Sequence, residues 1–253
     1  MVRAAASSRG ANDVDPESLH ASCLVLRDVT IAYGRTVVLA HVDADIPRSQ
    51  VVSIVGPNGS GKSTLLKAIA GLTPLLSGAI TLFGAPIGSM RKHIAYVPQR
   101  EDVDWSFPVA VQDVVMMGRY PRRGWLAPSS SEDRRVVEQA MEQLAIGDLA
   151  RRQISELSGG QQRRTFIARA IAQEPDVILL DEPMAGIDAE THDRILDLFE
   201  EWRTAGKVVL QATHAARHGG SVIALRRRTD PIRAEDVAHQ AEEGGEHHGV
   251  VRH

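Results

Sequence analysis

Apolar and polar residues alternate through "LVLRDVTIAY" and "TVVLAHVDADI", and predict two strands within residues 24–46, parted by the turn at Gly34. The alternation then stops. "VVSIV" (residues 51–55) is an unbroken apolar run, as expected of a strand buried on both faces of a sheet. It leads directly into "GPNGSGKSTLLKAIAGL", a glycine-rich turn followed by a helix that ends at Gly71, and "GAITLFG" reads as a further strand between glycines. From about residue 99 to 156 the period becomes helical, most clearly in "DVVMMGRY" and "SEDRRVVEQAMEQLA". In the second of these, Ser131 is the expected cap, with Val136, Val137, Ala140, Met141 and Leu144 on one face. The Pro-, Gly- and Ser-rich stretch "PRRGWLAPSSS" connects the two. Strand character returns in "DVILLDEP" and "KVVLQATH", linked by the helix "AETHDRILDLFEEWRTAG". Strand–helix–strand order of this kind predicts an α/β fold, a parallel sheet interrupted by a helical insert.

The ends of the chain carry no such periodicity. Residues 1–21, rich in Ala, Ser, Asn, Asp and Gly, read as a disordered lead-in, and residues 229–253 as a charged, mobile tail. The domain is expected at 22–228, with the helical insert at about 100–160. The chain's 253 residues suffice for a substantial core, and 43% hydrophobic with 24% charged residues fits a soluble globular protein. A formal net charge of −3 supplies no general basic field, so no nucleic-acid partner is expected. Cys23 is the only cysteine, which excludes an internal disulfide and suits a reducing compartment. No signal-peptide core and no run of eighteen apolar residues is present, so the expectation is a cytosolic chain able to dock on a membrane protein. The tail histidines, His239, His247, His248 and His253, interleave with Glu and Gly without supporting partners, and are not read as a metal site.

Two stretches carry chemistry. "GPNGSGKST" fits G-x-x-x-x-G-K-[ST] at Gly56, Gly61, Lys62 and Ser63, between a buried strand and a helix. Glycines there allow backbone N–H groups to curl around phosphate oxygens. Lys62 is then placed to reach the β- and γ-phosphates, and the Ser63 hydroxyl to ligate Mg²⁺. In "VILLDEP", Asp181 emerges at the carboxyl end of a buried strand, where open parallel sheets hold their ligands. Asp181 is expected in the Mg²⁺ shell, and Glu182 beside it to orient or deprotonate an attacking water. A third stretch, "LSGGQQRR", sets Ser158, Gly159 and Gly160 at the mouth of a helix, an anion-binding arrangement with no lysine of its own nearby.

Together these motifs resemble the ATP-binding subunit of an ABC transporter, over about residues 23–225. The resemblance implies a P-loop NTPase (RecA-like) core, an antiparallel β subdomain and a helical insert carrying the "LSGGQ" signature. It implies ATP and Mg²⁺ as cofactors, with Gly56, Pro57, Asn58, Gly59, Ser60, Gly61, Lys62, Ser63 and Thr64 around the nucleotide phosphates. Tyr33 looks like the aromatic that stacks on adenine. Gln99 in "YVPQR" looks like the glutamine that contacts Mg²⁺ and the attacking water and senses the permease. Asp188 matches the aspartate of the loop joining two ATP sites, and His214 the switch histidine at the γ-phosphate. Ser158, Gly159, Gly160 and Gln161 would close on the nucleotide of a second copy, in an ATP-dependent homodimer. One departure stands out: "THAARHGGSVIAL" is shorter than usual after the histidine, and Gly219-Gly220 would break the helix expected there.

The family implies an integral membrane permease as partner, at the cytoplasmic face of the cell membrane, and indirectly an extracytoplasmic metal-binding protein. Trp105, Phe107, Val111, Val114, Met116 and Met117 are expected to line an apolar groove for a permease helix, about half of them serving as the insert's own core. "VDWSFPV", "DVVMMGRY" and "MAGID" look like the subunits of manganese, zinc or iron importers. The alternatives are a soluble ABC ATPase acting in DNA repair or translation, a regulatory subunit that binds ATP without turnover, and an importer subunit for a non-metal nutrient.

Overall fold

The computed structural model describes residues 2–3, 22–99, 108–124, 126–214 and 221–225. Within the lead-in, Val2–Arg3 forms a short strand, β1. Then follow β2 (Ser22–Tyr33), β3 (Thr36–Pro47), β4 (Gln50–Val55), α1 (Lys62–Ile69), β5 (Ser77–Leu82), β6 (Ala85–Pro86) and β7 (Ile94–Val97). The insert contributes α2 (Val111–Met116), α3 (Tyr120–Arg123), α4 (Ser131–Gln143) and the start of α5 (Gly159–Ala172). The chain returns through β8 (Val177–Asp181), α6 (Ala189–Thr204), β9 (Val208–Thr213) and β10 (Ser221–Ala224). These strands make two sheets, ordered β1-β3-β2-β5-β6 and β10-β4-β9-β8-β7. The first is antiparallel apart from the β1–β3 pair, and the second is parallel throughout.

The continuous apolar strands of the parallel sheet are explained by two cores, one on each face. In β8 and β9, Val177, Leu179, Val208 and Leu210 point into one core together with the antiparallel sheet and Leu65, Leu66 and Ile69 of α1. The intervening Ile178, Leu180 and Val209 point into the other, with the insert helices and with Ile195, Leu198 and Phe199 of α6. The period of two divides every such strand between the cores. Two-sided burial also holds β8 rigidly where its carboxyl end meets the site.

Some local expectations are corrected. The cap of α4 is Ser130, not Ser131: Ser130 Oγ accepts from Asp133 N at 3.0 Å, and Asp133 Oδ2 accepts from Ser130 N at 3.0 Å. Closing this reciprocal box needs an acid three residues on, which Ser130 has and Ser131 lacks. The "DVVMMGRY" helix starts at Val111, tightens to a 3₁₀ turn at Met117–Arg119 and continues as α3. Gly118 sits where a Cβ would collide with the Arg169 carbonyl oxygen, which lets the insert backbone lie against α5. The short interval after His214 still regains the sheet, since β10 pairs with β4 from Ser221↔Val52 to Ala224↔Val55, a strand the sequence did not announce. Gly219 and Gly220, Trp105 and Phe107, and the tail histidines lie outside the described residues. Of the other groove candidates, Val111 and Val114 are buried within the core between insert and sheet, and Met116 packs against its margin.

A buried guanidinium fastens the insert to the far end of α5. Arg119 donates to Asp133 Oδ1 (2.9 Å), to the Ala172 carbonyl (2.8 Å) and to Glu174 Oε2 (2.7 Å). The Arg119 hydrogen bond, followed by those from Ser130, holds the Asp133 carboxyl down from the ordinary 3.8 to about 2. A depressed carboxylate stabilises the fold above its unfolded pKa, and that contribution disappears as pH falls through the folded value. Asp133→Asn is therefore expected to cost stability in full above about pH 4, with the gap to wild type closing towards pH 2. Urea unfolding of both proteins across that range checks it.

Candidate functional site

The register of the parallel sheet brings the dispersed motifs to one edge. Val55 pairs with Thr213, Asp181 with Ala212, and Val97 with Leu180, so these strand ends form nearly one row. The residues just beyond the row are the glycine-rich loop, His214, Glu182 and, after Pro98, Gln99. A cavity of about 370 Å³ opens over this edge, lined by residues 58–64, Val38, Gln99, Glu182 and His214. Lys62, Gln99, Glu182 and His214 thus meet in space although they span 153 positions of sequence.

Gly61 has φ +93°, and a Cβ there would press on Leu39 at 2.8 Å, so this turn accepts no side chain. The turn delivers the chain into α1 with Lys62 as its first residue. Lys62 Nζ donates to the carbonyls of Gly56 (2.8 Å) and Pro57 (3.2 Å), which curls the side chain back over the loop. Gly56 and Pro57 thus serve the loop through their carbonyls while remaining off the cavity wall. Ser60 Oγ is buried without a partner among the described residues.

Two adjacent carboxylates occupy different environments. Asp181 is wholly buried, and burial pushes its carboxyl above the ordinary range, while a hydrogen bond from the Ser63 hydroxyl pulls the other way. Tyr96 Oη donates to Asp181 Oδ2 at 3.4 Å, but Oδ1 is buried with no partner among the described residues. Glu182 takes a left-handed backbone, φ +49°, uncommon for a residue with a side chain and costing on the order of 1–3 kcal/mol. That turn swings its carboxylate into the cavity. There His214 Nε2 lies 3.1 Å from Oε1, and Gln99 Nε2 donates to Oε2 over 3.5 Å.

The remaining candidates lie off the cavity wall. Tyr33 is half exposed at the end of β2. The signature residues begin α5, where Ser158 Oγ accepts from Gln161 N (3.3 Å) and Gln161 Oε1 accepts from Ser158 N (3.0 Å). Gln161 thus spends its side-chain oxygen closing a capping box, whereas the Ser158 hydroxyl keeps its own proton to donate. Asp188 caps α6, accepting from Thr191 N (2.8 Å) and Thr191 Oγ1 (2.9 Å), bonds that hold its carboxyl low. It also stands beside Gly160: a Cβ on that glycine would lie 3.5 Å from Asp188 Oδ2.

Three participants escaped the sequence reading. Val38 lines the cavity from β3, Tyr96 reaches Asp181, and Arg163 is buried behind the site with Nη1 donating to Pro98 O (2.7 Å) and Nη2 to Asp181 O (2.6 Å). Alternation in "TVVLAHV" was the only available hint for Val38. The other two act across 85, 65 and 18 positions, and local pattern carries no trace of them.

Residues 39–185 match the family described as "ABC transporter". The chain is 47% identical over 187 residues to the zinc transport system ATP-binding protein of Treponema pallidum (strain Nichols), covering 74% of this chain and 70% of that protein. It is 46% identical over 189 residues to the manganese transport system ATP-binding protein of Bacillus subtilis (strain 168), covering 75% and 76%. A solved dimeric structure of a bacterial ABC transporter cassette superposes with a TM-score of 0.71 at 28% identity, covering 80% of this chain and 94% of that one.

The burial of Asp181 makes a test possible. A raised folded pKa means that the protein loses stability as pH climbs above 3.8, because the unfolded chain ionises more easily. At neutral pH the neutral isostere in Asp181→Asn removes this penalty. The nucleotide-free variant is expected to melt no lower than wild type, and to lose most of the additional melting shift that Mg²⁺ gives in the presence of ATP. Scanning fluorimetry with ATP, with and without Mg²⁺, checks both halves.

Proposed function

The chain belongs to the ABC transporter family as an ATP-binding, ATP-hydrolysing subunit, and we propose that it drives uptake of a divalent transition metal across a cell membrane. The observation that carries the enzymatic part of the reading is the Glu182 carboxylate, turned into the cavity by its left-handed backbone and bracketed by Gln99 and His214. In this reading the backbone N–H groups of residues 58–64 cradle the phosphates, and Lys62 leaves the Gly56 and Pro57 carbonyls for the β- and γ-phosphate oxygens. The orphaned Oδ1 of Asp181 and the Ser63 hydroxyl are hard oxygen donors that suit Mg²⁺, with Gln99 completing the set. Mg²⁺ would supply charge neutralisation at the phosphates. Glu182 accepts the proton of the attacking water, and His214 holds the γ-phosphate and the carboxylate in mutual orientation. Tyr33, half exposed at the end of β2, takes the adenine by stacking.

A second copy completes the arrangement. Ser158, Gly159 and Gly160 stand off the cavity of their own chain, and in the proposed dimer they offer the Ser158 hydroxyl and helix-end N–H groups to the partner's γ-phosphate. Asp188, beside Gly160, ties that contact to the loop following Glu182. The assembly docks through the insert on an integral membrane permease at the cytoplasmic face. No helix among the described residues is long and apolar enough to cross a membrane. The zinc and manganese transport names of the similar proteins, with the importer-like wording around residues 103–120, support a transition-metal cargo delivered by an extracytoplasmic binding protein.

Glu182→Gln leaves the phosphate cradle intact and removes the proton acceptor. Turnover is expected to fall at least tenfold, a barrier increase of about 1.4 kcal/mol or more, with nucleotide affinity within a few-fold of wild type. Steady-state ATPase assays beside a fluorescent-nucleotide titration decide it, and wild-type turnover would remove Glu182 from the reaction. For the cargo, deletion of the gene is expected to lower cellular manganese, zinc or iron when that metal is limiting. Elemental analysis showing all three unchanged, with a growth defect for an organic nutrient, would overturn the metal reading and leave the ATPase reading intact.

A further inference from the structure

Helix α5 does more than present the signature at its N-terminus. β7 is the last strand of the parallel sheet, and its carbonyls at Ile94 and Tyr96, with that of Pro98 next in the same alternation, face away from β8. All three accept from α5 or the residue that ends it: Gln173 Nε2 to Ile94 O at 2.6 Å, Arg169 Nη2 to Tyr96 O at 3.2 Å, and Arg163 Nη1 to Pro98 O at 2.7 Å. The helix is fastened along β7, the strand that leads into Gln99.

Gln173 Nε2 also reaches the Lys92 carbonyl (3.3 Å), before β7, whereas the second acceptor of Arg163 lies on a different strand, at the end of β8. Arg163 Nη2 reaches Asp181 O at 2.6 Å, so one planar guanidinium spans the ends of β7 and β8. Each accepting carbonyl belongs to the residue immediately before a reacting group, Pro98 before Gln99 and Asp181 before Glu182. The group is buried, and its fork geometry fixes both acceptors at once. The two residues that follow these carbonyls meet in a long contact, Gln99 Nε2 to Glu182 Oε2 at 3.5 Å.

We propose that Arg163 is a positioning residue for hydrolysis: by bridging the Pro98 and Asp181 carbonyls from the signature helix it sets the separation of Gln99 and Glu182, so that a displacement of α5 moves both together. This rests on the reading of Glu182 as the proton acceptor. A lysine keeps the charge but loses the planar fork, and can satisfy the two carbonyls only with altered spacing.

The test uses the full chain carrying Arg163→Lys, alone and combined with Glu182→Gln, with Arg169→Lys as the comparison for loss of a strand-edge bond away from the reacting groups. Arg163→Lys is expected to lower kcat at least tenfold, with KM and fluorescent-nucleotide affinity within threefold of wild type. Arg169→Lys is expected to lower the melting temperature as much while keeping kcat within twofold. Added to Glu182→Gln, Arg163→Lys should slow turnover no further, since the group it positions is already disabled. A folded Arg163→Lys protein with kcat within twofold of wild type overturns the proposal, as does a tenfold loss that multiplies in full onto Glu182→Gln. Should Arg163→Lys fail to fold, Arg163→Gln is judged by the same criteria. Failure of the Glu182 reading would appear separately, as wild-type turnover in Glu182→Gln alone.

Discussion

A carboxylate with no exposed surface, one of its oxygens without a partner among the described residues, ends the strand β8, and the surrounding structure is organised to keep it there. An isolated buried charge is among the costliest things a fold can contain. Asp181 is tolerated because β8 is clamped between two hydrophobic cores and flanked by β7 and β9 along its length. In the proposed reading a cation and phosphates complete this donor set, and their binding would relieve a penalty that folding imposed. Glu182 repeats the principle one residue later in backbone terms, holding a disfavoured conformation that aims its side chain. Preorganisation of this kind needs stiff surroundings, and two-sided burial of the strand supplies them.

The two cores also explain why the functional residues fall into separate groups. Residues 58–64, Gln99, Glu182 and His214, placed just beyond the carboxyl ends of β4, β7, β8 and β9, meet over one cavity. The signature residues belong to a helix that packs in the other core with the insert, so their direction is set by α2 and α4 rather than by the strand ends. The mutual support of Arg119, Asp133 and Glu174 at the far end of α5, together with the close approach at Gly118, makes helix and insert one unit. In the proposed dimer the two halves of the site, carried on different units of one chain, meet across two copies, which is the logic of a two-fold arrangement.

The glycine-rich loop, the parallel strands and the acidic strand end were legible because each is a local pattern: an apolar run, a turn that needs glycine, a polar residue at the run's end. The antiparallel pair β2 and β3 was equally plain from alternation. Smaller features went astray where neighbours were nearly equivalent, as at Ser130 and Ser131, and the fourth residue of the capping box was the overlooked discriminator. Strand β10 was hidden by the glycines before it and by its shortness. The contacts of Tyr96 and Arg163 were illegible for a different reason. They depend on which backbone atoms face which helix, and that is decided by sheet order and register, quantities a single sequence does not display.

The row of side chains along β7 has a consequence beyond the nucleotide. An outermost strand with free carbonyls is a template on which another chain can lay down a strand, and sheets exposed in this way are prone to aggregate. Here Gln173, Arg169 and Arg163 occupy those acceptors, so the border of the sheet is closed by the protein's own helix. The same contacts that fasten α5 to β7 therefore also shield the sheet edge from other chains, and one of them, through Arg163, is the contact proposed to align Gln99 with Glu182. Solubility and the geometry of the site are thereby placed under a common constraint.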